Sequence, residues 1–482
     1  MEKVKSDKKA NTEAFSRIEK KSFFMVVFLL IGIIAVAGIS TLFVPQGYYQ
    51  RNENGMIING TFQLGQVKGI ELWRVITAPV RVLFSSDAPT IITISIFLLI
   101  MSGVFNLLDK TGGLRVIIGR TVAKFSNKKH LVVILVALIF MAFGSFFGMF
   151  EELVTLLPLI IVFMLSLGFD TLTGLGACML SACFGFSAAI TNPFSVGIVC
   201  DVASTSVTNG VWLRIVFFCL VFTSVCTFLM LHIRKITKHP EKSLTYALDS
   251  RKRTNIDIEF TKTDEKDNKL FKTYIIFFVV QLILLCLIAS VRAISNYAIP
   301  ILAVSFLVGG ITAGLCVVED KKEVFVSFYR GAIAMLPAIV MILLATSVKL
   351  IMTESGILDT VMYTVVSKLE GRSKFLCIIL IYLLILFLQL FIGSSSAKIL
   401  LIMPIILPIA EILGLSTSII ILTYCMADGF TDVILPTNPV LLVGLSIANV
   451  SYAKWVKWTW KFQLLMFIGT VLLLLFAISI GY

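Results

Sequence analysis

The chain has 482 residues, 58% of them hydrophobic and only 14% charged, with a formal net charge of +13. Soluble domains keep roughly a quarter of their residues charged, so this composition excludes a soluble globular class and indicates an all-α polytopic membrane protein. The basic surplus sits in the N-terminal tail, in 110–129 and in 233–272; such alternation is the positive-inside pattern, which argues against nucleic acid as a partner and places the N-terminus on the cytoplasmic side of the cell membrane.

A polar tail, residues 1–21, runs straight into an apolar stretch at 22–44. That stretch is long enough to span the lipid bilayer and too long for the core of a signal peptide. Full spans are also expected near 88–108, 171–200, 213–233, 273–292, 298–317, 331–352, 416–446 and 459–480, about nine in all. Two regions, 131–167 and 375–412, are too long for one span, and each is divided by a small or polar cluster. Loop charge fits either two spans or one re-entrant hairpin there. Arms of about 15–17 residues with a polar tip suit the hairpin better. The chain therefore divides into the tail 1–21, a first half 22–233, a basic cytoplasmic linker 234–272 and a second half 273–482.

The halves repeat. Pro158, Gly168 and Thr191–Asn192–Pro193 recur as Pro404, Gly414 and Thr437–Asn438–Pro439, each 246 residues later. A Gly–Phe pair precedes each Thr-Asn-Pro motif, Gly185–Phe186 and Gly429–Phe430, with a spacing that differs by two residues. By span count the two motif-bearing helices run in opposite senses, so the repeats are inverted. Proline removes an N–H and interrupts the helical ladder, and unpaired backbone at membrane depth survives only inside protein or beside a cavity. Paired broken helices in inverted halves are the sequence mark of a transporter's substrate site. Thr191, Asn192, Thr437 and Asn438 are candidate site residues, and the two amides can serve the broken ends or a ligand.

The hairpin tips differ in chemistry. The first reads Gly148–Met149–Phe150–Glu151–Glu152 and the second Gly393–Ser394–Ser395–Ser396–Ala397–Lys398. Each precedes the N-terminus of a returning half-helix, where free N–H groups attract a carboxylate. At the second tip Ser394, Ser395, Ser396 and Lys398 suit a substrate carboxylate. At the first, Glu151 and Glu152 suit an ammonium or guanidinium. Asp428 adds acidic character on the approach to the second Thr-Asn-Pro motif, and Asp432 is a weaker candidate. Structural alternatives stand beside each: the glutamates as helix caps or as partners of Lys398 or Lys349, Asp428 as a brace for the broken helix. Glu354, Asp359 and Glu411 read as solvated. The Trp- and Lys-rich run at 452–462 reads as an anchor at the membrane interface.

"FGMFEELVTLLP" with "FGFSAAITNPFSVGI", and "GSSSAKILLIMPIILPIAEILG" with "MADGFTDVILPTNP", resemble the YfcC-type proteins of the anaerobic C4-dicarboxylate carrier group. That group lies within the ion transporter superfamily and includes arginine/ornithine antiporters. The resemblance spans nearly the whole chain. It implies a scaffold domain, a moving transport domain and often a homodimer.

The tally of Glu151, Glu152, Asp428 and Asp432 against Lys398 disfavours a doubly anionic guest, since like-charge contacts cost several kcal/mol. The expected activity is alternating-access transport of a small amino acid, most simply arginine/ornithine antiport. C4-dicarboxylate or other organic-anion transport is the alternative. Coupling to Na⁺ or to H⁺, or exchange without either, all fit. Nine cysteines without a CxxC pair, and three histidines in or beside basic loops, offer no metal site, cofactor or catalytic triad, so an enzyme is not expected. No phosphate-binding G-x-x-x-x-G-K-[ST] motif is present, and paired hairpins suit alternating access better than a channel.

Overall fold

The computed structural model describes residues 20–52, 57–58, 60–113, 116–117, 120, 128–254, 265–290, 297–369 and 371–482. Residues 1–19 of the tail, 121–127 of the first basic loop and 255–264 of the linker lie outside the described residues. Among those described, seven helices are long and apolar enough to cross a membrane: Ile91–Lys110, Lys129–Phe147, Val211–Lys238, Ile299–Val317, Lys321–Glu354, Ser395–Ile412 and Tyr452–Ser479. Five of the nine expected spans are among these seven, the other two being Lys129–Phe147 and Ser395–Ile412 from the divided regions, and 171–200 and 416–446 are absent because each is split. The first is Thr171–Ser187 and Pro193–Val202; the second is Thr417–Asp432 and Pro439–Ala448. Several described elements have no counterpart in the sequence reading, among them a two-stranded antiparallel ribbon pairing Gly47 with Leu64 and Tyr48 with Gln63, the short helix Ile357–Val366, and the helix Lys321–Ala334.

Both long divided regions fold back on themselves. In the second, Lys374 at the start of the outgoing arm donates from Nζ to Gly414 O at the end of the returning arm, 2.7 Å away. In the first, the His130 ring lies 5.9 Å from that of Phe169. The repeated glycines explain themselves here. Gly168 and Gly414 sit just past the returning helices with φ of +91° and +63°, and the next residue closes onto the last turn (Phe169 N to Met164 O, 2.9 Å; Leu415 N to Ala410 O, 2.8 Å). A left-handed C-terminal stop of this kind strongly favours glycine.

The halves meet through residues that share the repeat offset. Cys183 Sγ donates to Gly429 O at 3.0 Å, and these two residues are 246 apart. The Phe184 and Phe430 rings, related by the same offset, lie 4.8 Å apart. Residues that occupy equivalent places and also touch must lie at the axis relating them. This register also shows that Gly429–Phe430 answers Cys183–Phe184, which accounts for the two-residue discrepancy with Gly185–Phe186. Gly429 is needed for the approach: a Cβ there would come within 2.5 Å of Ser187 N and 2.8 Å of Cys183 O.

On the side of the basic loops the linker is strapped to the first hairpin's base. Asp170 caps the helix that begins at Thr171, taking Thr173 N at 2.8 Å, and also receives Ser243 Oγ at 2.6 Å and His232 Nε2 at 2.9 Å. Trp458 Nε1 donates to the other ring nitrogen of His232 at 3.1 Å. His232 thus has a structural role that the sequence reading did not give it. Asp249 accepts from Thr171 and Thr245, while Lys252 Nζ reaches Ala448 O at 2.9 Å, near the end of the second half's Pro439–Ala448. The strap therefore ties the two halves together.

Two outcomes follow from this packing. Gly429→Ala should lower the detergent-solubilised melting temperature through a clash worth ~1–3 kcal/mol, read by thermal unfolding with size-exclusion control. Burial pushes the Lys252 ammonium down to about 8, against an opposing pull from Asp249. Its charged form costs stability below that pH, and the cost is relieved as pH rises towards the unfolded value of 10.5. The melting temperature of the wild type relative to Lys252→Met should therefore climb between about pH 8 and pH 10.5; a constant gap would refute the assignment.

Candidate substrate site

Each Thr-Asn-Pro motif restarts a helix. Asn192 Oδ1 accepts from Phe194 N at 2.8 Å, and Asn438 Oδ1 accepts from Val440 N and Leu441 N at 2.9 and 3.1 Å. Asn is a favoured N-cap, and proline at the first helical position lacks only an N–H that would be unpaired anyway. The motif is thus a cap and a start signal placed between two apolar helices.

The two breaks are closed by different partners. In the first half the tip of the hairpin does it: Ser145 O accepts from Ile190, Thr191 and Asn192 N at 3.1, 3.3 and 3.1 Å, and Thr191 Oγ1 donates to Phe146 O at 3.0 Å. In the second half the last helix does it: Trp455 Nε1 donates to Val433 O at 2.5 Å and the Tyr452 hydroxyl to Ile434 O at the same distance. Tyr452 and Trp455 were expected to be interface anchors. Trp455 is instead fully buried against the broken helix, a role that needs tertiary contact to become visible.

At the first tip the chain leaves a π-helical turn, Phe143–Phe147, through Gly148 at φ +69° and re-enters as the 3₁₀ turn Glu152–Leu156. A side chain at 148 would run into Asn192 Oδ1, 2.2 Å from a Cβ. Glu151 stands at the N-cap position without a side-chain cap bond. It borders a void of ≈ 10 Å³ together with Pro439 and Val440. The tip of the first hairpin therefore meets the positive N-terminal end of the second half's restarted helix. The Glu152 side chain lies outside the described residues.

At the second tip Ser394 caps the returning helix, accepting Ala397 N at 3.4 Å, and Gly393 faces open space. Ser395 is tied to Tyr424, whose hydroxyl donates to Ser395 O at 2.8 Å, while Ser396 is half-buried. Lys398 does not face the open tip: its Nζ lies 2.5 Å from Asp428 Oδ1, and the two side chains are 0% and 1% exposed. Asp432 accepts from Gln389 Nε2 and from Asn438 Nδ2, the latter at 2.8 Å. Lys398, Asp428, Asp432 and Asn438 are thus brought to one buried polar region, joined by Gln389, which carried no motif. Thr437 is half-buried in the loop before Asn438. Lys349 pairs with Asp87 at 2.7 Å rather than with either glutamate. Two supposedly solvated acids are also engaged: Glu354 with Arg81, and Asp359, 5% exposed, with Arg51.

The network has no twin across the axis. The positions 246 before Lys398, Asp428, Asp432 and Gln389 are Glu152, Ala182, Phe186 and Phe143. This accounts for one anomaly. Asn438 Nδ2 has Asp432, whereas the buried Asn192 Nδ2 has no hydrogen-bond partner, because its counterpart acid is Phe186. Asp428 Oδ2 and Gln389 Oε1 are likewise buried without partners.

A family model for the C4-dicarboxylate anaerobic carriers, DcuC, matches residues 21–479. The chain belongs to the DcuC family. An uncharacterized Haemophilus influenzae protein is 27% identical over 394 residues, covering 79% of this chain and 75% of its own. The Escherichia coli K12 protein YfcC, whose name proposes basic amino acid antiport, is 23% identical over 408 residues, covering 82% and 79%. Among solved structures, the YdaH transporter of Alcanivorax borkumensis aligns over 95% of this chain and 98% of its own, at 17% identity and a TM-score of 0.40. As a DcuC-family protein the chain is a multi-pass membrane transporter acting on a small molecule.

The buried ion pair gives this DcuC-family site a test. Removing one partner leaves a buried charge uncompensated, which costs about 3–5 kcal/mol, whereas apolar replacement of both is often neutral. Asp428→Asn should sharply lower the melting temperature in detergent, and Lys398→Met combined with Asp428→Leu should restore most of it. A mild single variant would mean that the pair is not held as described.

Proposed function

We propose that the chain is an alternating-access exchanger of small amino acids, most simply an arginine/ornithine-type antiporter. Its site is formed by the two hairpin tips and the two Thr-Asn-Pro caps, with Glu151, Glu152, Ser394–Ser396, Asp428, Thr191, Asn192, Thr437 and Asn438 facing the substrate in the loaded state. The observation carrying this reading is the pair of buried acceptors without donors, Asp428 Oδ2 and Gln389 Oε1. An ammonium or guanidinium brings the donors that these oxygens lack, whereas a dicarboxylate brings only more acceptors. The partial name of the relative YfcC agrees with it.

Packing supports the alternating-access part. Helices Lys20–Ser40, Ala88–Lys110, Glu265–Ser290, Ala298–Val317, Lys321–Ala334 and Leu336–Glu354 pack mainly on one another, as do the hairpins and broken helices. The two sets suit a scaffold and a moving body. Dicarboxylate transport remains the second reading, favoured by the family's description and by two cations beside the second tip.

Proteoliposomes containing the purified protein should take up radiolabelled arginine several-fold faster when preloaded with ornithine, and Glu151→Gln should weaken that uptake. Succinate uptake indifferent to arginine would select the second reading and end the first.

A further inference from the structure

The second hairpin borders a cavity of ≈ 280 Å³, just under the roughly 300–1,000 Å³ usual for small-molecule sites. Ile392, Ala397 and Leu401 of the hairpin form an apolar wall, and Lys349, Asp359 and Arg51 supply its charged groups. Arg51 comes from the chain just after the first strand of the β-ribbon, Gly47–Tyr48. That segment is held down on the helix Ile357–Val366 by Thr360 Oγ1 to Pro45 O at 2.8 Å and by stacking of Phe62 on Tyr363 at 4.0 Å.

The charges do not cancel at the cavity surface. Asp359 receives Tyr49 N at 3.1 Å and one guanidinium nitrogen of Arg51 at 2.9 and 3.1 Å. Its side chain is left only 7% exposed, against 39% for Arg51. Lys349 keeps 20% of its side chain exposed and pairs at 2.7 Å with Asp87, which is 29% exposed but does not line the cavity. An ammonium carries three donors and a guanidinium five, so both cations retain donors after these pairings. Among the groups that line the cavity, the acid Asp359 is covered and the two cations are presented.

We propose that this cavity is a carboxylate-binding vestibule beside the second hairpin tip, in which Lys349 and Arg51 together hold the carboxylate of a small solute against the apolar hairpin wall. A fixed pair of cations in a low-dielectric recess raises the local concentration of anionic groups. Both an amino acid and a dicarboxylate carry the carboxylate in question, so the vestibule does not rest on the choice between them.

The test uses Ala397→Cys in the full chain, labelled by 2-carboxyethyl and by trimethylammonium-ethyl methanethiosulfonate. Each rate is normalised to that reagent's rate with free cysteine, and labelling of the wild type, which has exposed Cys219 and Cys316, is subtracted. The carboxylate reagent should react about tenfold faster than the cationic one. Adding Lys349→Gln or Arg51→Gln should abolish that preference. Equal rates, a faster cationic reagent, or a preference that survives both substitutions would overturn the proposal. Leu401→Cys serves the same purpose if Ala397→Cys fails to elute as a monodisperse species. Protection by L-arginine alone assigns the carboxylate to an amino acid, and protection by succinate alone assigns it to a dicarboxylate. The latter leaves the vestibule standing while defeating the arginine reading, and protection by neither overturns the vestibule.

Discussion

Inside a bilayer no water is at hand to complete a broken helix, so each interrupted ladder must be closed by protein atoms. This constraint organises the centre of the molecule. Asparagine side chains close the starts of the restarted helices in both halves, and proline removes one N–H that would otherwise need a partner. The unwound residues before them need more, and each half finds it in a different neighbour. One borrows the carbonyl of Ser145 from its own hairpin, and the other borrows Trp455 and Tyr452 from the last helix. In the first half the hairpin and the broken helix are therefore one unit, and in the second the last helix is joined to the break.

Residues at the repeat offset meet at Cys183–Gly429, but the polar chemistry on the two sides differs. Lys398, Asp428, Asp432, Gln389 and Asn438 form a network in the second half, where the first half places Phe143, Ala182 and Phe186. A buried ion pair contributes little net stability compared with a well-packed apolar substitute. Its presence in only one half is therefore not accounted for by folding stability alone.

The repeat, the hairpins and the breaks were legible because proline, glycine and asparagine act through local backbone geometry, which spacing reveals. Gly168 and Gly414 are left-handed helix stops, and Asn192 and Asn438 are caps. Both functions are written within a few residues of the position itself. Partner choice was not legible. Lys398 was read as facing a ligand although Asp428 holds it, Asp359 was read as solvated although Arg51 and Tyr49 cover it, and Trp455 was read as a membrane-interface anchor although it is buried against the broken helix. Those pairings join residues 22 to 310 positions apart, and periodicity carries no information about which distant side chain a charge will find. The β-ribbon and Ile357–Val366 were missed because two-residue strands and a ten-residue helix leave almost no pattern.

The orphaned amide of Asn192 has a wider consequence. An inverted repeat gives the backbone two interchangeable arrangements, in which either half adopts the other's conformation. With identical side chains these would be isoenergetic and equally populated. Here one half satisfies its asparagine and the other leaves the donor empty, so exchanging the two conformations does not return the same energy. The asymmetry acts as a built-in tilt of the conformational equilibrium, and even 1.4 kcal/mol is a tenfold bias in population. A group that donates nothing but accepts from that amide would shift the tilt without touching the second half.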